Sequence, residues 1–145
     1  MFKHILIPTD GSELSDKAMK GGIALAKSVS ARITFLTSSR PFHLVAVNAV
    51  MVTDTKEQYM KDAEALARRH MQGPEDAARA SGVRCDIAHV FSEHPYDAII
   101  GTAQTRDCDL ILMASHGRKG MSALLIGSET QKVLTHCRIP VLVWR

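Results

Sequence analysis

Two short stretches, Ile5-Leu6-Ile7 and Leu110-Ile111-Leu112-Met113, are apolar at every position. A β-strand turns successive side chains to opposite faces, so a run without polar positions needs both faces covered. Runs of this length suit the interior strands of a parallel sheet with helices on either side. A strand with one wet face alternates instead, as Val83-Arg84-Cys85-Asp86-Ile87 does, which reads as an edge. Strand signals fall at Phe2–Pro8, Arg32–Ser38, Val83–Val90, Asp109–Ala114 and Pro140–Trp144.

Helical spacing fills the intervals. Leu14, Ala18, Leu25 and Val29 share one helical face after Ser12, a plausible N-cap. Tyr59, Ala63, Leu66, Ala67 and Met71 form a second stripe, and Gly73-Pro74 predicts a kink or break in it. Ile99, Ile100 and Ala103 follow Pro95, which suits a first helical turn. Thr130, Val133 and Leu134 make a fourth stripe. Arg40 to Thr53 reads as a loop with some local order. Strands alternating with helices imply right-handed crossovers and a parallel α/β sheet. The 145 residues fit one domain, spanning 1–145, without disulfide or metal support.

Composition narrows the function classes. Basic and acidic residues are interspersed and the net charge is +3, which provides no basic stripe for nucleic acid. No apolar run approaches the roughly 20 residues a membrane helix needs. Met1–Ile7 reads as a strand rather than a secretory signal, so a cytoplasmic location is expected. Cys85, Cys108 and Cys137 are widely spaced, without a Cys-x-x-Cys pair, and read as small apolar residues in or near the core. The histidines show no ligand spacing, and neither a Gly-x-Ser-x-Gly elbow nor a convincing Cys–His pair is present.

Two segments carry chemistry. Met113-Ala114-Ser115-His116-Gly117-Arg118-Lys119-Gly120 leads from a buried strand through a glycine-containing loop to Gly127-Ser128-Glu129-Thr130, where a helix begins. Such a loop can turn backbone N–H groups around an anion, and the helix start adds free donors and partial positive charge. Glycine allows close approach of a phosphate, and the Ser128 and Thr130 hydroxyls can donate. The same pattern also serves merely to cap a helix. The spacing is neither a Walker loop nor Gly-x-Gly-x-x-Gly. His116, inside the loop, is read first as a polar turn residue, and Arg118 and Lys119 either neutralise phosphate or sit at a solvated tip. The second segment, Ile7-Pro8-Thr9-Asp10-Gly11-Ser12, joins the first strand to its helix. In a doubly wound sheet this turn borders the crevice. Asp10 could accept hydrogen bonds from a ribose or base and Pro8 could form an apolar wall, while Asp, Gly and Ser also make ordinary capping turns.

Together these segments resemble the universal stress protein family, specifically its nucleotide-binding branch. The likeness spans nearly the whole chain, through Lys3–Ser12, the glycine loop, and Ile139-Pro140-Val141-Leu142-Val143. The family's Gly-x2-Gly-x9-Gly-Ser/Thr pattern appears as Ala114-x2-Gly117-x9-Gly127-Ser128, with alanine for the first glycine. The resemblance implies a Rossmann-like, five-stranded parallel sheet of order 3-2-1-4-5 with helices on both faces. It also implies a homodimer through the last strand, Val141–Trp144, whose position at an open edge would leave backbone groups free to pair. Pro8, Thr9 and Asp10 match positions that contact adenine, Ser38 a position near the base, and Met113 and Ala114 positions near the adenosine. Gly117, Gly127, Ser128, Glu129 and Thr130 match the ribose and phosphate cradle. Glu129 departs from the usual small apolar residue, and a carboxylate beside phosphates repels them unless it points outward or holds Mg2+. The ending Leu36-Thr37-Ser38-Ser39 differs from the commoner His-Val. The implied function is a dimeric stress-response module that binds ATP or another adenine nucleotide, with Mg2+ as a companion ion. The alternatives are a scaffold of the same fold with an empty crevice, and a weak ATPase organised by Asp10.

Overall fold

The computed structural model describes residues 1–43, 55–117 and 126–145. Strand β1 (His4–Pro8) leads to helix α1 (Glu13–Val29), then β2 (Arg32–Ser39), α2 (Lys56–Ala80), β3 (Cys85–Phe91), α3 (Pro95–Thr105), β4 (Leu110–Ala114), α4 (Ser128–His136) and β5 (Val141–Trp144). The strands form one parallel sheet in the order β3-β2-β1-β4-β5, as expected. From residue 44 onward the expected loop at Arg40–Thr53 lies outside the described residues, as do Arg118 and Lys119.

The two uninterrupted apolar strands are the sheet's centre. Ile5, Leu6, Ile7, Ile111 and Leu112 are fully buried. Their alternation feeds two separate cores. Ile5, Ile7, Ile33, Phe35 and Leu112 pack with Ala18, Ile23 and Met71, the side covered by α1 and α2. Leu6, Leu36, Ile111 and Met113 pack with Ile99, Ala103 and Val133, the side covered by α3 and α4. Both edge strands are only half-buried.

Strand boundaries shift by one or two residues. β1 begins at His4, not Phe2, because the Asp109 carboxylate accepts from the Lys3 and His4 N–H groups at 2.8 and 2.9 Å. Ser12 does cap α1, accepting from the Ser15 N–H at 3.2 Å. The buried face of α1 runs through Ala18, Met19, Gly22, Ile23 and Ala26, with Leu14, Leu25 and Val29 at its margin. On the later stripes, Leu66 and Leu134 are exposed.

Of the kink or break expected at Gly73-Pro74, the break does not occur: α2 runs through Pro74 without interruption. Proline there removes the donor to the His70 carbonyl. His70 and Gly73 are exposed, so water can satisfy that carbonyl, while Met71 and Ala78 bury the helix on either side of the proline. Among the described residues, no helix is long and apolar enough to cross a membrane. The three cysteines are free, Cys108 buried and the others half-buried.

Candidate functional site

The cleft opens at the carboxyl ends of the strands, where β1 and β4 lie side by side and their connections leave in different directions. Its first wall is the β1–α1 turn. The Thr9 N–H donates to the Leu36 carbonyl at 2.8 Å, fixing the turn to β2. The Thr9 hydroxyl accepts from the Gly11 N–H at 3.1 Å and meets the buried Ser15 hydroxyl at 2.9 Å. Gly11 takes a positive φ of 74°, which a side chain would resist. The Asp10 carboxylate accepts from the Ser12 N–H at 3.0 Å, so its orientation is set before α1 begins.

The second wall is the end of β4 and the start of α4. The Ser115 N–H donates to the Trp144 carbonyl at 2.8 Å, extending the sheet by one bond. The Ser115 carbonyl accepts from the Gly127 N–H at 2.8 Å. The Thr130 hydroxyl lies 3.1 Å from the Ala114 carbonyl and 3.2 Å from that of Ser115, and donates between them. These bonds hold the α4 N-terminus against the strand end. Its N-cap, Gly127, supplies no side-chain bond to the first turn. A Cβ on Gly127 would stand 3.1 Å from the His116 Cα and 3.2 Å from the Ser115 carbonyl oxygen, closer than side chains normally tolerate. On Gly117 a Cβ would collide with the Asp10 carboxylate.

Between the walls lies a cleft of about 240 Å³. Pro8, Leu36, Ile99 and Met113 make its apolar surface, and Asp10, Ser38, His116, Glu129 and Thr130 its polar one. Of the residues singled out in the sequence, Pro8, Thr9, Asp10, Ser38, Met113, Ala114, Gly117, Glu129 and Thr130 line it together. Gly127 and Ser128, at the head of α4, are not among the residues that line it. Sequence reasoning passed over Ser15, Leu36, Pro95 and Ile99 as cleft residues. A serine on the buried face of a helix was the available signal for Ser15, while Leu36 and Ile99 are ordinary core residues until the topology brings them here.

Met113 packs in the core beneath α3 and α4 and Ala114 in the one beneath α1, and both line the cleft. Glu129 is more informative. One carboxylate oxygen accepts from the Tyr96 N–H, in the first turn of α3, at 2.9 Å. The other lies 3.1 Å from Lys132 Nζ. His94, the N-cap of α3, makes no side-chain cap bond, so Glu129 caps α3 from a neighbouring helix. Among the described residues no group of three or more His, Cys, Asp or Glu side chains is placed to hold a metal ion.

A larger hollow of about 540 Å³ lies on the other face, between α1 and α2, floored by Met19, Ala67 and Met71. It shares Thr9, Asp10 and Ser38 with the smaller cleft but is lined by no residue of α4 and by neither Gly117 nor Gly127.

Similarity to known proteins follows the same frame. The chain is 30% identical to a universal stress protein of Thermus aquaticus, over the full length of both. The solved structure of MJ0577 from Methanocaldococcus jannaschii superposes with a TM-score of 0.84 at 25% identity, covering 99% of this chain and 96% of that one. Two more distant structures share the fold. One is a universal stress protein in complex with cAMP, with a TM-score of 0.69 at 20% identity over 98% of this chain and 95% of that one. The other, from Archaeoglobus fulgidus, is in complex with dAMP, with a TM-score of 0.68 at 14% identity over 100% and 98%. The universal stress protein family pattern itself matches residues 1–145, and the chain belongs to that family.

Proposed function

We propose that this protein binds an adenine nucleotide in the cleft between the β1–α1 turn and the head of α4, and works as a nucleotide-responsive stress module. One observation carries the reading: two glycines at which a Cβ would be crowded, Gly117 by the Asp10 carboxylate and Gly127 by the His116 and Ser115 backbone, frame the start of a helix whose cap residue offers its first turn no side chain. Backbone donors in such a place, with the helix's partial positive charge behind them, are suited to an anion. The facing wall supplies what a nucleoside needs. Pro8, Leu36, Ile99 and Met113 offer apolar surface to a flat base, and Asp10 and Ser38 offer acceptors and a hydroxyl to base or ribose. Relatives of the same fold in complex with cAMP and dAMP support the choice of an adenine ligand. ATP belongs to the same class, and Mg2+ would then ride chiefly on the phosphate oxygens, with at most one or two carboxylates helping. Slow hydrolysis organised by Asp10 is the most that the chain's own groups suggest.

β5 lies at the sheet's edge with four half-buried apolar residues, which supports pairing of Val141–Trp144 with a second copy. Thermal unfolding with and without adenosine, AMP and Mg-ATP tests the ligand. At a hundredfold excess over Kd, binding adds about 2.7 kcal/mol of stability. Native mass spectrometry of freshly purified protein reads bound nucleotide and subunit number together. A monomer with an unchanged melting temperature at millimolar ligand would favour the empty scaffold.

A further inference from the structure

Glu129 contributes its own negative charge to the place where a nucleotide's phosphates are expected. It lines the cleft, at the second position of α4, and both of its oxygens are engaged. The N–H it takes, that of Tyr96, lies in the first turn of α3, a second helix start opening on the same cleft through Pro95. The cation it takes, Lys132, is held besides by the Tyr96 ring, 5.1 Å from the ring centre. Lys132 is not among the described residues that line the cleft, so a ligand meets the carboxylate before its counter-charge.

We infer that Glu129 sets the charge of the ligand this cleft accepts, favouring an adenine nucleoside or monophosphate over a di- or triphosphate. The inference rests on the adenine-binding reading above and names its ligand class. Its physical basis is repulsion between like charges, which grows with each phosphate added near the carboxylate. The pre-occupied α3 terminus has the same sense, because a helix start already satisfied by a carboxylate has less to offer a second anion.

Calorimetric titration of the full chain with adenosine, AMP and ATP, for the wild type and Glu129→Gln, tests it. Glutamine keeps an oxygen for the Tyr96 N–H and removes only the charge. Wild-type protein is expected to bind adenosine and AMP more tightly than ATP. In E129Q the ATP-to-adenosine affinity ratio should rise about tenfold, the size of one close like-charge contact near water. Raising the salt concentration should narrow the wild-type discrimination but have little effect on the variant. Lys132→Met, which strips the counter-charge, should widen it. An ATP-to-adenosine ratio that E129Q leaves unchanged, with adenosine still bound, overturns the role of Glu129 and leaves adenine binding standing. Absence of binding by all three ligands to both proteins overturns the adenine reading and this one with it.

Discussion

The Asp10 carboxylate occupies the space into which a side chain on Gly117 would project. One residue belongs to the β1–α1 turn and the other follows β4, so the two halves of the cleft touch at this point. The glycine is required here by a neighbouring side chain rather than by its backbone, because only Gly11 and Gly82 among the described glycines take positive φ.

That distinction yields a double-mutant cycle. Gly117→Ala alone should destabilise the protein and weaken adenosine binding, since Asp10 must swing away and give up its bond to the Ser12 N–H. In an Asp10→Ala background the same change should cost stability little or nothing. A coupling of about 0.5–3 kcal/mol is expected for residues in direct contact, read from urea unfolding of the four proteins. Additive effects would mean that Gly117 is needed for some other reason.

Thr130 ties the start of α4 to the end of β4 by donating to the Ala114 and Ser115 carbonyls while 2% exposed. Thr130→Val keeps the shape and removes the donor, leaving those carbonyls with one partner fewer. A loss of about 1–3 kcal/mol is expected. Thr130→Ser should restore most of it. Chemical denaturation of both variants decides, and equal stability of valine and serine would assign Thr130 to packing alone.

Much of this architecture was legible because its signals are local and redundant. Ile5–Ile7 and Leu110–Met113 read as central strands, Ser12 could be recognised as a cap, and Pro95 sits where a helix begins. Gly73-Pro74 does not break α2, although local chemistry disfavours proline in a helix, because burial of Met71 and Ala78 on either side outweighs one lost hydrogen bond at an exposed position. The Glu129 side chain was beyond sequence reasoning. Its partner, the Tyr96 N–H, is 33 residues away, and nothing in either segment signals that α3 and α4 begin together. The α1 stripe slipped by a position because Gly22 and Ser15, which periodicity counts as neutral, lie on its buried face.

Gly21 offers a test at the sheet's edge. The Trp144 ring lies across it, with ring carbons 2.5 Å from where a Cβ would be. Exposed helical glycines usually gain about 1 kcal/mol on mutation to alanine. Gly21→Ala should instead lose stability, because the indole must leave its place against α1 and carry β5 with it. If β5 is the dimer edge, the monomer–dimer equilibrium measured by sedimentation should weaken in the same variant. A more stable protein with unchanged association would show that the indole moves aside freely.

His4 links stability to pH. It is 3% exposed and bonded through Nε2 to the Thr34 hydroxyl at 2.8 Å. Burial, and then the positive charge of Arg32, hold its imidazole below the usual 6.5, against weaker opposing effects that include the Asp86 and Asp109 carboxylates. Burial lowers His89 as well, beside Ser39 at 2.8 Å. A depressed histidine means that the folded chain resists a proton which the unfolded chain accepts below about 6.5. Its effect on stability is therefore nil above that pH. The penalty grows as pH falls from 6.5 toward the folded value, and levels off below it. Urea unfolding at pH 7.5 and 5.5 should show the loss, and His4→Gln, which keeps a partner for Thr34 but cannot titrate, should show less of it. An identical pH dependence in the two proteins would place the acid sensitivity elsewhere, with His89→Gln as the next substitution to compare. The two histidines stand on opposite sides of β2, one facing Thr34 and the other Ser39, so their contributions should add when both are replaced.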